Sequence, residues 1–173
     1  MNLLAVYATQ NNSTLETSEY IAEKLRANNH TVTVANAKDV YEIEKYDAVI
    51  LGSGIYKGMW LPEMFTFMNR VWDDLVNKPV FCFILCIRVL EEGGYEHALS
   101  NYMPVTLLNE LDLRDCKVFP GKLDVENIDW DERWTLVLHY DGHMYPNNIK
   151  ADFRQWEAID VWAEQITMQL SGK

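Results

Sequence analysis

The chain has 173 residues, of which 49% are hydrophobic and 24% charged, and its formal charge is −11. That size and balance fit one globular domain with a proper core, and the acidic excess excludes nucleic-acid backbones and anionic membrane surfaces as partners. The longest apolar run, Val80 to Ile87, is far too short to span a bilayer, and no basic leader precedes the first strand, so a cytoplasmic protein without a transmembrane segment is expected.

Leu3-Leu4-Ala5-Val6-Tyr7-Ala8 is an apolar run that ends sharply, as a buried parallel strand does. Leu15, Ser18, Ala22 and Leu25 then recur at helical spacing, and Asn28-Asn29 supplies the stop. His30 to Ala35 alternates and is rich in β-branched residues, which predicts a second strand. Asp47 to Gly52 is a third, followed by a glycine-rich loop from Gly52 to Trp60. Pro62 opens a helix that carries Met64, Phe65, Met68, Val71, Trp72 and Leu75, and Lys78-Pro79 ends it. A fourth strand covers Val80 to Cys86, and a helix from about Tyr95 to Leu111 bends near Pro104. Lys117 to Phe119 is the fifth strand, Val125 to Lys150 an aromatic insertion, and Asp152 to Leu170 the last helix.

Strands alternating with helices predict an α/β domain whose parallel sheet is covered on both faces. The expected strand order is 2-1-3-4-5. Ligands of such sheets sit at the carboxyl ends of the strands, beside the point where the order reverses. Here that point lies between strands 1 and 3.

Two loops converge there. Thr9-Gln10-Asn11-Asn12-Ser13-Thr14 joins the first strand to the first helix. A helix opening at Ser13 or Thr14 presents unpaired N–H groups and the positive end of its dipole, and Thr9, Ser13 and Thr14 add hydroxyls. That combination suits a phosphate held by neutral donors, because the loop contains no Lys or Arg. The competing account is that Ser13-Thr14-Leu15-Glu16 is a capping box that serves the helix alone. The second loop is the glycine-rich one after strand 3. Their shared location is what favours a ligand. A P-loop, a glycine-fingerprint dinucleotide fold and a phospho-receiver domain are excluded, since their defining residues are missing.

The residues at these loops resemble a family. Thr9-x-x-x-x-Thr14 together with Gly52-Ser53-Gly54 is similar to a flavodoxin-type FMN site. Gly52-x-x-Ile55-x-x-Gly58, Gly121-Lys122-Leu123-Asp124 and Asp152-Phe153-Arg154-x-Trp156-Glu157 resemble the flavodoxin-domain subgroup related to menaquinone-dependent protoporphyrinogen oxidase. Asn12 stands where a glycine is common, a geometry that Asn tolerates.

The resemblance spans nearly the whole chain. It implies a flavodoxin-like three-layer α/β/α sandwich with FMN as cofactor. Thr9, Gln10, Asn11, Asn12, Ser13 and Thr14 would hold the phosphate. Ser53, Gly54, Ile55, Tyr56, Lys57 and Gly58 would lie against the ring, with Tyr56 favoured as a contact and Trp60 left undecided between contact and core. Leu85, Cys86 and Ile87 would meet the other ring edge. No catalytic residue is implied.

The expected role is cytoplasmic electron transfer or a small oxidoreductase activity. A protoporphyrinogen oxidase, a quinone reductase and a flavin-free interaction domain are the alternatives. The partner would be a redox protein or a quinone-like or porphyrin-like molecule, and a homodimer is left open. An acidic chain with no cation in the phosphate loop disfavours added negative charge on the cofactor, which predicts a low reduction potential.

Within the insertion, Asp129-x-x-Glu132 reads as a second capping box and Thr135 to Leu138 equally as a strand. Trp130, Trp134, Tyr140 and Tyr145 can form a wall for a planar substrate or a partner. His139, Asp141 and His143 suggest a metal, but the Asp141-Gly142 turn breaks their shared face, so no metal is expected. The cysteines show no zinc spacing either. Cys82 and Cys86 lie roughly 13 Å apart on one strand, too far for a disulfide, and Cys116 falls in another, so buried reduced thiols are expected.

Overall fold

The computed structural model describes residues 1–124 and 150–172, and the expectations for Trp130 to Tyr145 lie outside them. In chain order the strands are β1 (Asn2–Ala8), β2 (Thr31–Asn36), β3 (Ala48–Tyr56), β4 (Met59–Trp60), β5 (Pro79–Leu85), β6 (Asp112–Phe119), β7 (Lys122–Asp124) and β8 (Lys150–Asp152). The helices are α1 (Ser13–Ala27), α2 (Pro62–Arg70), α3 (Trp72–Leu75), α4 (Gly94–Asn101), α5 (Val105–Leu108) and α6 (Trp156–Leu170). The main sheet runs β2-β1-β3-β5-β6 with every neighbouring pair parallel, while β4 turns back along β3. This is the expected order with one hairpin strand added.

Strand alternation sends successive side chains to opposite layers. Leu3, Ala5, Ile50, Phe81 and Phe83 pack with Ile21, Leu25, Ile159 and Trp162 on the α1/α6 face. Leu4, Val6, Leu51, Cys82 and Ile84 pack with Met64, Phe67, Leu75 and Met103 on the other. Both faces are therefore buried, which is why the strands read as continuous apolar runs rather than as alternating ones.

Several boundaries differ from the sequence expectation. Strand β3 continues through the glycines to Tyr56, and the turn is confined to Lys57 and Gly58, both with positive φ, at 49° and 78°. Two such residues build the tight hairpin that joins β3 to β4. Gly52 is there for a packing reason, since a Cβ on it would lie 2.4 Å from Phe83 Cζ. The helix after Pro62 breaks at Val71, whose φ of −113° leaves the helical region. Pro104 does more than bend the next helix and separates α4 from α5. The last helix starts at Trp156, because Lys150–Asp152 pairs antiparallel with Lys122–Asp124.

The thiol expectation is overturned. Cys82 and Cys116 are register partners on β5 and β6, 4.8 Å apart at Cα, and form a disulfide. Distance along one strand correctly excluded Cys82 with Cys86, but it said nothing of the neighbouring strand. Cys86 alone is a buried free thiol. The cysteines therefore give no support to a reducing compartment. Among the described residues, no helix is long and apolar enough to cross a membrane and no group of His, Cys, Asp or Glu could hold a metal.

Candidate functional site

The parallel register brings the carboxyl ends of β1, β3 and β5 level, with Ala8 beside Ser53 and Gly54 beside Leu85. A cavity of about 390 Å³ opens at that edge, within the roughly 300–1,000 Å³ of small-molecule sites. Thr9, Gln10, Asn11, Ser13 and Thr14 line it from the first loop, Gly54, Ile55, Lys57 and Gly58 from the β3 hairpin, and Leu85, Cys86 and Ile87 from the end of β5. The two suspected loops meet. A Cβ built on Gly54 would lie 3.6 Å from Thr14 Oγ1.

Helix α1 opens on Asn12, whose φ of 61° is left-handed, and no side chain caps it. Ser13 is already inside the helix, and the Glu16 carboxylate reaches Arg154 at 2.7 Å. The capping-box account therefore does not apply, and among the described residues no side chain caps the N–H groups of Ser13, Thr14 and Leu15. Thr9 Oγ1 and Thr14 Oγ1 are buried without a hydrogen-bond partner among the described residues. A buried hydroxyl without a partner is costly unless something supplies one. Open amides and orphaned hydroxyls at one end of a cavity are the donor set an anionic group requires.

Three expected contacts lie off the cavity wall. Asn12 forms the left-handed turn into α1. Ser53 is fully buried, donating to the Gly54 carbonyl at 2.8 Å and accepting from the Leu61 N–H at 3.1 Å. That pair of bonds fixes the chain leading into α2 instead of facing a ligand. Tyr56 packs half-buried against the α2–α5 layer, with Lys57 Nζ 5.0 Å from its ring centre. Trp60 is 2% exposed and belongs to the same core.

The cavity has a further wall. Leu61, Arg88, His97, Tyr102, Gly121, Lys122 and Leu123 complete it. Gly121 to Leu123 carry part of the family resemblance, a signal that marked them without giving them a role. His97 and Tyr102 bore no signal, because α4 and its end come over the site only when Tyr95, Ala98 and Leu99 pack on the core. The rings of His97 and Tyr102 meet edge-on at 5.2 Å. Burial pushes the Cys86 thiol up to about 11 and also raises the Tyr102 phenol, so both are neutral near pH 7.

Among the described residues, the Lys and Arg side chains on the wall are Lys57, Arg88 and Lys122, and no Asp or Glu lines it. Arg88 is paired with Glu91 at 3.2 Å. The low-potential expectation rested on the acidity of the chain and on a first loop without a cation. The cavity's cations reach it from elsewhere, namely the β3 hairpin, the turn after β5 and strand β7.

Residues 4–147 match the flavodoxin domain. The chain belongs to the flavodoxin-domain family. Solved flavodoxins share its fold at low identity. Oxidised Flavodoxin 1 from Bacillus cereus is 18% identical with a TM-score of 0.55, over 84% of this chain and 100% of that one. A mutant flavodoxin from Pseudomonas aeruginosa is 12% identical with a TM-score of 0.58, over 99% of both chains. The rubredoxin oxygen:oxidoreductase of Desulfovibrio gigas is 17% identical with a TM-score of 0.56, over 99% of this chain but only 36% of that one. No curated protein sequence matches the chain.

Membership of the flavodoxin-domain family implies FMN as the cofactor, and the residues present fit it. The orphaned threonine hydroxyls and open helix end suit its phosphate. Ile55, Leu61, Leu85 and Tyr102 offer apolar surface for a flat ring, and backbone groups of the hairpin and of Leu85 to Ile87 border it.

Proposed function

We propose that this chain is an FMN-binding redox protein that passes electrons between partners. The observation that carries the reading is the meeting of unpartnered Thr9 and Thr14 hydroxyls, an uncapped helix start and the Gly54–Gly58 hairpin around one cavity. When bound, FMN supplies the redox chemistry. The chain's own residues then have three tasks. Thr9, Ser13 and Thr14 hold the phosphate, with Gln10 and Asn11 beside it. Gly54, Ile55, Lys57 and Gly58 present backbone to one ring edge, and Leu85, Cys86 and Ile87 present it to the other. Cys86 and Tyr102, both neutral, keep the ring surroundings free of negative charge.

The direct test is an absorbance spectrum of the purified protein with and without added FMN. Flavin bands that stay with the protein through gel filtration support the reading. A colourless protein that cannot be reconstituted leaves a flavin-free interaction domain.

A second reading is oxidation of a porphyrinogen-like or quinol-like molecule. It is favoured by the position of two stretches that resemble the protoporphyrinogen oxidase subgroup. Gly121-Lys122-Leu123 lies on the cavity wall, and Asp152 and Arg154 are bonded beside α1. Bleaching of the bound flavin by a porphyrinogen or quinol, but not by a reduced protein donor, would favour this reading over electron carriage.

A further inference from the structure

The first turn of α1 carries a carboxylate, Glu16, one turn from the Ser13 and Thr14 proposed to hold a phosphate and off the cavity wall. Two like charges at one helix end repel, so the site needs a means of neutralising Glu16. The structure supplies two cations, each from a segment far along the chain. Arg154 Nη2 lies 2.7 Å from Glu16 Oε2, and Lys122 Nζ lies 3.7 Å from Glu16 Oε1.

The two cations are held differently. Arg154 is 4% exposed at its side chain, hydrogen-bonded by Nε to Asp152 at 2.8 Å and stacked on the Trp156 ring at 4.5 Å. Trp156 in turn leans on Tyr20 of α1, with ring centres 4.5 Å apart. Arg154 Nη1 also reaches the Ser13 carbonyl at 3.5 Å. The group is fixed. Lys122 is 42% exposed at its side chain, makes the longer contact to Glu16 and lines the cavity.

We propose that Lys122 is a ligand of the cofactor phosphate and that Arg154 is a positioning residue that makes this possible. Arg154 is shared between Glu16 and Asp152, which it grips through Nε and Nη2, so Arg154 and Lys122 together balance the two carboxylates. Arg154 keeps Glu16 in place, and Lys122 is the loosely held member of the set, able to turn from its long Glu16 contact to an anion at the helix end. The loop lacks a cation of its own, and the β7–β8 ribbon with the segment after it supplies the missing charge. This inference rests on the FMN reading above.

The experiment compares FMN with riboflavin, which differ by the phosphate alone. Dissociation constants are measured by flavin fluorescence for the wild type, Lys122→Gln, Arg154→Gln, Glu16→Gln and Arg154→Gln with Glu16→Gln. Loss of a charge-assisted contact should weaken FMN about tenfold in Lys122→Gln while riboflavin stays within about twofold. Arg154→Gln should also weaken FMN selectively, and adding Glu16→Gln should restore most of the loss. A merely structural arginine would weaken FMN and riboflavin alike.

Equal loss of both flavins in Lys122→Gln, or no loss of either, overturns the inference. So does a wild type that binds FMN no better than riboflavin. A wild type that binds neither flavin overturns the FMN reading first. Lys122 is exposed enough for its variant to fold even if Arg154→Gln does not, so the question is answered in either case.

Discussion

Thr14 is the residue at which structure and function separate most cleanly. Its Oγ1 is buried with no protein partner among the described residues, so the apo fold gains nothing from it. Thr14→Val, which replaces the hydroxyl by a methyl of similar size, should leave unfolding free energy within about 1 kcal/mol of wild type or raise it. FMN affinity should fall about tenfold in the same protein. Urea denaturation and a flavin titration measure the two effects, and parallel loss of both would count against the assigned role.

Cys86 invites a second test. With its thiol at about 11, almost none is thiolate at neutral pH. Alkylation by iodoacetamide, followed by mass spectrometry, should be slow near pH 7 and rise steadily towards pH 11, and added FMN should suppress it. The sequence flagged Thr9 to Thr14 because hydroxyls and helix signals lie next to one another along the chain. It could not show that Ser53 spends both its bonds on the backbone, since those partners become neighbours only after folding.

At the scale of elements, the strands were the legible part. Each buried strand is an apolar run of its own, so order and class followed from the alternation with helices. Breaks inside helices were not legible. Met64, Phe67, Met68, Val71 and Leu75 keep one buried face across the α2–α3 junction, so the periodicity runs straight through a backbone that does not. Inter-strand register was equally hidden, and with it the Cys82–Cys116 bond. That bond links strands 34 residues apart in sequence. Reduction, or the Cys82→Ala/Cys116→Ala pair, should cost about 2–4 kcal/mol. Urea midpoints with and without reductant, compared in wild type and double variant, test this. A wild type indifferent to reductant would mean that the bond is not formed in solution.

For the whole molecule, pH offers the clearest prediction. His30, between α1 and β2, has both ring nitrogens buried without partners among the described residues. Burial, then the positive N-terminus, lowers its pKa below the usual 6.5. The folded state therefore favours the neutral ring. Its contribution is fully present above pH 6.5 and is lost as pH falls from there through the lowered folded value. The urea midpoint of wild type should drop between about pH 7.5 and about pH 5.5, and His30→Gln should flatten that part of the profile. An unchanged slope in the variant would exclude His30 as the cause.

Net charge, by contrast, was a poor guide to the site. A chain of −11 lines its cavity with Lys57, Arg88 and Lys122. Composition averages over the surface, whereas a site depends on which few charges the fold gathers.

Strands β7 and β8 pair Asp124 with Lys150, so the two chain ends that flank residues 125–149 are clasped a strand's width apart. Whatever is spliced between them, long or short, inherits the same anchorage. Lys122, which borders the cavity, and Arg154 stand on the near side of that clasp. Such an arrangement gives residues 125–149 one fixed pair of moorings, a few residues from a side chain of the cavity wall.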